Sequence, residues 1–209
     1  MKSIITLSRQ LGSSGKLIGK ALAEELGIPF YDKALIAKTA KESGLSEHLF
    51  ENMEEKPTHS LLYSLVMGVQ STKGLYYQYS DMLNGDNIFK VQADVIKGIA
   101  QKGPCIIVGR CADYILRENP YLIRLFLGAD EEHRIKTLMT RDNMSEKEAS
   151  LAVNRADKRR ANYYNFYTNN TWGDVKNYDM CLNTGNLSQE ECVKILADYI
   201  LNRESYFKD

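Results

Sequence analysis

The chain predicts an α/β fold built on a parallel sheet, and three observations carry that expectation. Short apolar runs recur at residues 3–7, 28–31, 105–108, 122–127 and 179–183. Stretches with helical spacing of apolar residues separate them. Most of the runs are nearly continuous in apolar character rather than alternating, as suits strands covered on both faces.

Ser3-Ile4-Ile5-Thr6-Leu7 is the first strand, rich in β-branched residues. Gly12-Ser13-Ser14-Gly15-Lys16 is too small and flexible to continue it. Leu17, Ile18, Ala21, Leu22 and Leu26 then follow a helical period, with Gly27 as the C-terminal stop. The run at 28–31 is the second strand and ends at Asp32. Residues 33–101 read as mostly helical. Leu35, Ile36 and Thr39 form one face, Leu61, Leu62, Leu65, Val66 and Val69 another, and Phe89, Ala93, Ile96 and Ala100 a third. Residues 73–86, with Gly74, Gly85 and the cluster Tyr76, Tyr77 and Tyr79, read as a loop or lobe. Lys102-Gly103-Pro104 is a turn. Cys105-Ile106-Ile107-Val108 is a fully apolar strand that ends at Gly109-Arg110. A helix follows to Arg117, Asn119-Pro120 breaks it, and 122–127 is the next strand. Asp130-Glu131-Glu132 opens a helix at its positive end, and helical character is expected through about Tyr164. Residues 168–174 form a polar loop and 179–183 the last strand. Ser188 caps a final helix, with Glu191 completing a capping box.

Composition excludes several classes. The chain has 209 residues, and 27 Lys and Arg balance 27 Asp and Glu. A single domain of this length buries roughly 70% of its unfolded surface and needs no disulfides. Neutral charge disfavours a general nucleic-acid binder and, with 44% hydrophobic residues, disfavours disorder. No apolar stretch approaches the ~20 residues of a membrane span, and residues 1–8 do not read as a signal peptide. The expected location is the cytoplasm. Cys105, Cys111, Cys181 and Cys192 form no C-x-x-C pair and read as reduced thiols. His48, His59 and His133 lie far apart, so no protein-built metal site is expected.

Four groups of residues point to chemistry. The segment S-R-Q-L-G-S-S-G-K-L-I-G (8–19) follows a buried strand and opens a helix. There, small residues let backbone amides curl around an anion, and Lys16 adds a full charge. The strict G-x-x-x-x-G-K-[ST] pattern is not met. Gln10 stands at the first glycine, and Leu17 stands where a hydroxyl usually assists magnesium. Gly109-Arg110 lies past the end of a buried strand, at the edge where open α/β sheets bind ligands, and its arginine can fork onto a phosphate. Asp32 has the same placement and also fits an N-cap. Residues 154–162 hold Arg155, Lys158, Arg159, Arg160 and the acid Asp157. On a helix Arg155 and Arg159 share a face, suited either to closing over a phosphoryl group or to simple solvation. Tyr163, Tyr164, Phe166 and Tyr167 follow, which leaves core packing and single-stranded nucleic-acid stacking both open.

The segments 5–33, 103–116, 157–164 and 172–184 resemble the cytidylate kinase-like proteins, a branch of the nucleoside monophosphate kinases within the P-loop NTPases. The resemblance spans nearly the whole chain. It implies a three-layer fold with a five-stranded parallel sheet (core 1–32, 102–141 and 171–209), a helical monophosphate-binding lobe at about 33–101 and a lid at about 142–170. It implies ATP and Mg²⁺ as cofactors. Gly12, Ser13, Ser14, Gly15 and Lys16 match the donor-phosphate loop. Asp32 matches the aspartate that opens the acceptor lobe, where cytidylate kinases read D-S-G or D-T-G and this chain has Lys33 and Ala34. Arg110 matches the acceptor-binding arginine of a G-R-D motif whose acid is here Cys111, with Asp113 nearby. Asp157 and Arg160 match the second half of the lid motif R-D-x-x-D-x-x-R, while Val153 and Asn154 replace its first arginine and aspartate.

The reading that follows is ATP-dependent phosphoryl transfer to a small acceptor, with a pyrimidine nucleoside monophosphate as best candidate. Lys16, Arg155, Arg159 and Arg160 are the expected catalytic cations, and Asp32, Arg110 and Asp157 the expected acceptor-side residues. The alternative is a nucleotide-binding sensor with little or no transfer. The apolar stretch 61–69 and the tyrosines of 76–79 fit either interior packing or a homodimer contact.

Overall fold

β1 (Ile4–Arg9) lies at the centre of a five-stranded sheet in the computed structural model of the chain, which describes residues 1–36 and 89–207. On one side it pairs with β3 (Cys105–Val108), which pairs with β2 (Phe30–Tyr31). On the other it pairs with β4 (Leu122–Gly128), which pairs with β5 (Met180–Asn183). The order is β2-β3-β1-β4-β5 and every pairing is parallel. Leu7 stands opposite both Val108 and Leu125.

The near-continuous apolar runs are explained by cover on both faces. Ile5, Leu7, Ile106, Val108, Ile123, Leu125 and Leu127 pack under α1 (Gly15–Leu26) and the last helix, α6 (Gln189–Glu204). Ile4, Cys105 and Ile107 point the other way, against α2 (residues 89–101) and α3 (Ala112–Ile115). Period-two alternation sends neighbouring side chains to opposite layers, so a strand buried on both sides needs apolar residues at nearly every position. The expected lobe at 33–101 is described only at its two ends. The faces at 61–69 and 73–86 lie outside the described residues. Among the described residues no helix is long and apolar enough to cross a membrane.

The stop signals act as expected at two places. Gly27 ends α1 in the left-handed region (φ 65°), and its amide donates to the carbonyls of Ala23 and Glu24. Ser188 and Glu191 form the capping box that opens α6. The helical character expected from 130 to about 164 is divided between two helices, α4 (Glu131–Asp142) and α5 (Glu146–Thr168). Asn143 closes α4 in the left-handed region (φ 53°), and Ser145 opens α5 with a second capping box. Its hydroxyl accepts the Glu148 amide at 3.4 Å, and the Glu148 carboxylate accepts the Ser145 amide at 2.9 Å. The helices fold back on each other around Leu138, Ala149 and Val153. β5 begins one residue later than expected, because the Asp179 carboxylate receives the backbone and side-chain N–H groups of Arg124.

Ser145→Ala removes an acceptor from the first turn of α5. The expected loss is about 1 kcal/mol of unfolding free energy, read from the midpoint of a urea denaturation curve at unchanged slope.

Candidate phosphate-binding site at the sheet edge

The loop from β1 to α1 is shaped by two tight approaches. Gly12 has φ 83°, and a Cβ there would lie 2.6 Å from the carbonyl oxygen of Arg134. Gly15 starts α1, and a Cβ there would lie 2.7 Å from the Cβ of Arg9. Ser14 is the N-cap residue in the left-handed region (φ 56°), and its side chain makes no capping bond. Ser13 is fully buried; its hydroxyl donates to the Gln10 carbonyl at 3.0 Å. The Ser13 carbonyl in turn accepts the hydroxyl of Thr184, just past β5, at 2.9 Å. The first-turn amides of α1 have no intrahelical acceptors, and no acidic side chain stands in that turn. Such a helix start favours an anion.

Lys16 and Asp32 meet. The ammonium nitrogen is 2.8 Å from one carboxylate oxygen, while the other accepts the amides of Ala34 and Leu35 at 3.1 Å each. Asp32 therefore caps its own turn and also faces the loop lysine. Burial raises its pKa, but the Lys16 hydrogen bond and the two amides outweigh that, and the carboxyl is held below its ordinary value.

At the end of β3 the chain makes an uncommon turn. Gly109, Arg110 and Cys111 have φ 73°, 60° and 54°, three left-handed residues in succession. The Gly109 amide donates to Leu7 O at 3.0 Å, and buried Gln92 on α2 donates from Nε2 to the Arg110 carbonyl at 3.2 Å. Arg110 is 5% exposed. Cys111, at the place of the motif's acid, is packed with Tyr163 and Tyr164. Asp113 is also buried, and accepts the Tyr164 hydroxyl at 2.7 Å. Its carboxylate thus faces the α5 packing. Burial dominates its pKa and raises it, against the Tyr164 hydrogen bond.

α5 carries the residues of the basic stretch on different faces. Arg160 turns inward and donates to the Arg9 carbonyl at 3.0 Å. Arg155 and Arg159 lie on the exposed face. Asp157 accepts the Leu11 amide at 3.2 Å, Gln10 Nε2 at 3.3 Å and an Arg134 N–H at 2.6 Å. Arg134 also donates to the Ala129 carbonyl at 2.9 Å. The partners of Asp157 are thus loop and scaffold groups. Val153 is buried between α4 and α5, and Asn154 donates to Glu131 of α4 at 3.3 Å. Tyr163, Tyr164 and Tyr167 pack together with Phe89, while Phe166 is exposed.

Sequence reading missed four residues here: Arg9, Gln10 as a structural element, Arg134 and Thr184. Only Gln10 gave a signal, by standing at a glycine position. Its side chain explains the exchange, because Oε1 accepts the Ala129 amide at 3.2 Å while Nε2 reaches Asp157. Among the described residues no group of three His, Cys, Asp or Glu side chains is placed to hold a metal ion.

A central β1 leading through a glycine-containing loop into α1, with strand order β2-β3-β1-β4-β5 and cations at the strand ends, defines a P-loop kinase fold. The model of the cytidylate kinase-like family matches residues 4–186, and the chain belongs to that family. It is 26% identical to a cytidylate kinase of Pyrobaculum islandicum, over 94% of this chain and 92% of that one. An uncharacterized protein from Eubacterium ventriosum has a solved structure with TM-score 0.71 and 29% identity, covering 95% of this chain and 98% of that one. A shikimate kinase from Bacteroides thetaiotaomicron shares the fold at TM-score 0.53 and 15% identity, covering 96% and 99%. Family and fold together support a phosphotransferase.

Two substitutions probe the scaffold. Asp157→Ala leaves the Arg134 side chain, 8% exposed, without its carboxylate. The expected loss is about 3–5 kcal/mol of unfolding free energy, measured in urea. Asp113 is protonated to higher pH in the folded chain than in the unfolded one. Its contribution to stability is full below the unfolded value of about 3.9 and is lost as pH rises through the raised folded value. The stability of the wild type relative to Asp113→Asn should therefore fall with rising pH. Denaturation curves at several pH values check this, and a constant difference would contradict it.

Proposed function

We propose that the chain is an ATP-dependent kinase that moves the γ-phosphoryl group to a small acceptor, and that the acceptor is a pyrimidine nucleoside monophosphate. One observation carries the reading. Lys16 of the loop and Asp32, at the opening of the expected acceptor lobe, meet at 2.8 Å, which supports a reading in which donor and acceptor adjoin at the sheet edge. Membership in the cytidylate kinase-like family and the relative named cytidylate kinase support the choice of acceptor.

The residues fit the expected cofactors. The amides of 12–16 and the ammonium of Lys16 suit a polyphosphate. Asp32 is a single carboxylate beside that loop, and Mg²⁺ is usually held by one or two carboxylates together with substrate phosphates and water. The metal would supply charge neutralisation on the phosphate oxygens. The protein's part is positioning and electrostatics. Lys16 leaves Asp32 for the donor phosphates. Arg110 holds the acceptor phosphate, whose oxygen attacks the γ-phosphorus as the bond to ADP breaks. Arg160 stands at the loop. Arg155 and Arg159 reach the transferring group when the lid at about 142–170 closes. Asp157 serves this site by holding the loop and orienting Arg160.

A second reading rests on Leu17. It is 51% exposed at the place where a loop hydroxyl assists magnesium. A nucleotide-binding sensor with little transfer would tolerate that loss. A coupled ADP-release assay over CMP, dCMP, UMP, AMP and non-nucleotide alcohols, paired with calorimetry of ATP and CMP with and without Mg²⁺, separates the readings. Acceptor-dependent turnover, highest with CMP, dCMP or UMP, is expected. Binding without turnover favours the sensor, and no binding by a folded sample contradicts both.

A further inference from the structure

We propose that Arg9 is a phosphate-binding cation of this site and contacts the phosphoryl group in transit. The inference rests on the kinase reading and adds a residue to it. Arg9 is the last residue of β1. Its stem lies across Gly15, where a Cβ would stand 2.7 Å from Arg9 Cβ and 3.1 Å from Cγ. Its head lies across Gly109, where a Cβ would stand 2.5 Å from one terminal nitrogen and 3.6 Å from Cζ. Two glycines, one opening α1 and one following β3, thus make room for one arginine.

That course fixes where the charge sits. The Gly109 amide pairs with Leu7 O, so β1 and β3 run together to their ends. The guanidinium of Arg9 passes from one strand end to the next along the carboxyl edge, where open α/β sheets bind ligands. Its stem borders the donor loop, and its head borders Gly109-Arg110 on the acceptor side. Arg160 of α5 donates to the backbone carbonyl of Arg9 and stands 3.8 Å from Asp157, so its guanidinium lies at the end of β1. A guanidinium at that edge suits a ligand with several negative oxygens, in the planar geometry onto which it forks. In phosphoryl transfer such charge is greatest on the group in transit.

The test compares wild type, Arg9→Lys and Arg9→Met, each checked for a cooperative melt. Met keeps the packing of the stem over Gly15 and removes the charge. With the best acceptor, Arg9→Met is expected to lower kcat by about 100-fold or more, with a smaller change in the KM for the acceptor, and Arg9→Lys to recover part of kcat. A wild-type kcat in Arg9→Met, or an effect confined to KM, overturns the proposal. If the wild type itself turns over no acceptor, the kinase reading has failed separately. Calorimetry with inorganic triphosphate then decides for Arg9: at least tenfold weaker binding by Arg9→Met supports a phosphate-binding role, and equal binding overturns it.

Discussion

Asp157 is the point on which the phosphate loop depends. One carboxylate of α5 receives the Leu11 amide, the Gln10 side chain and the buried Arg134 of α4. Arg134 in turn fixes Ala129 after β4, and its backbone fills the space left by Gly12. The ends of β1 and β4 are thus tied to α4 and α5 through two charges that lie largely out of water. Removing either partner would leave the other buried and unpaired, a far larger penalty than breaking an exposed pair. The Asp157–Arg134 pair therefore holds the α4–α5 hairpin to the loop at this point. Arg155 lies about one half-turn before Asp157 and Arg159 about one half-turn after it, on the exposed face.

A second constraint sits across the sheet. Left-handed conformations at Arg110 and Cys111 each cost on the order of 1–3 kcal/mol and persist only where the surroundings over-determine them. Here Gln92 holds the Arg110 carbonyl, the Gly109 amide is fixed on β1, and the Ala112 amide returns to the Gly109 carbonyl at 3.1 Å. The turn redirects the chain within three residues and puts Cys111 into the aromatic packing of α5. A carboxylate at 111 would enter that apolar cluster. The chain keeps its acid two residues later, where the Tyr164 hydroxyl meets it. The departure from G-R-D thus belongs to how this chain packs α5 against β3, and Asp113 does not stand in for the missing acid at the sheet edge.

The fold was legible because its signals are local. Apolar runs, Gly27 and the Ser188–Glu191 box each act within a few residues, and the five strands follow from them. The exact position of the break between α4 and α5 was harder to read because Leu138, Ala149 and Val153 continue an apolar face across it, although S-E-K-E at 145–148 carries the capping-box pattern. That residues 10–14 and Gly109-Arg110 lie just past strand ends was legible from the apolar runs before them. What was not legible is pairing over long separations. Gln10 and Asp157 are 147 residues apart, and Thr184 and Ser13 are 171 apart. Nothing in the neighbourhood of Arg134 marks it as buried among the charges of a helix that begins with two glutamates. Arg9 escaped for the same reason, since the space it fills is defined by glycines on two other elements.

The neutral total charge hides two carboxylates with opposite assignments. Asp32 faces Lys16, whose side chain is 69% exposed, so water and salt screen the pair and it is worth about 0–1 kcal/mol. A ligand with several negative charges would compete readily for Lys16, while the other Asp32 oxygen stays on the Ala34 and Leu35 amides. Asp157 faces Arg134 in near-complete burial, and no ligand at the loop compensates for separating them. Of these two pairs, Lys16–Asp32 is the one that is cheap to exchange. The energetic asymmetry separates a screened surface pair from a buried scaffold pair, although Asp32 and Asp157 stand equally well as acids beside cations in the sequence.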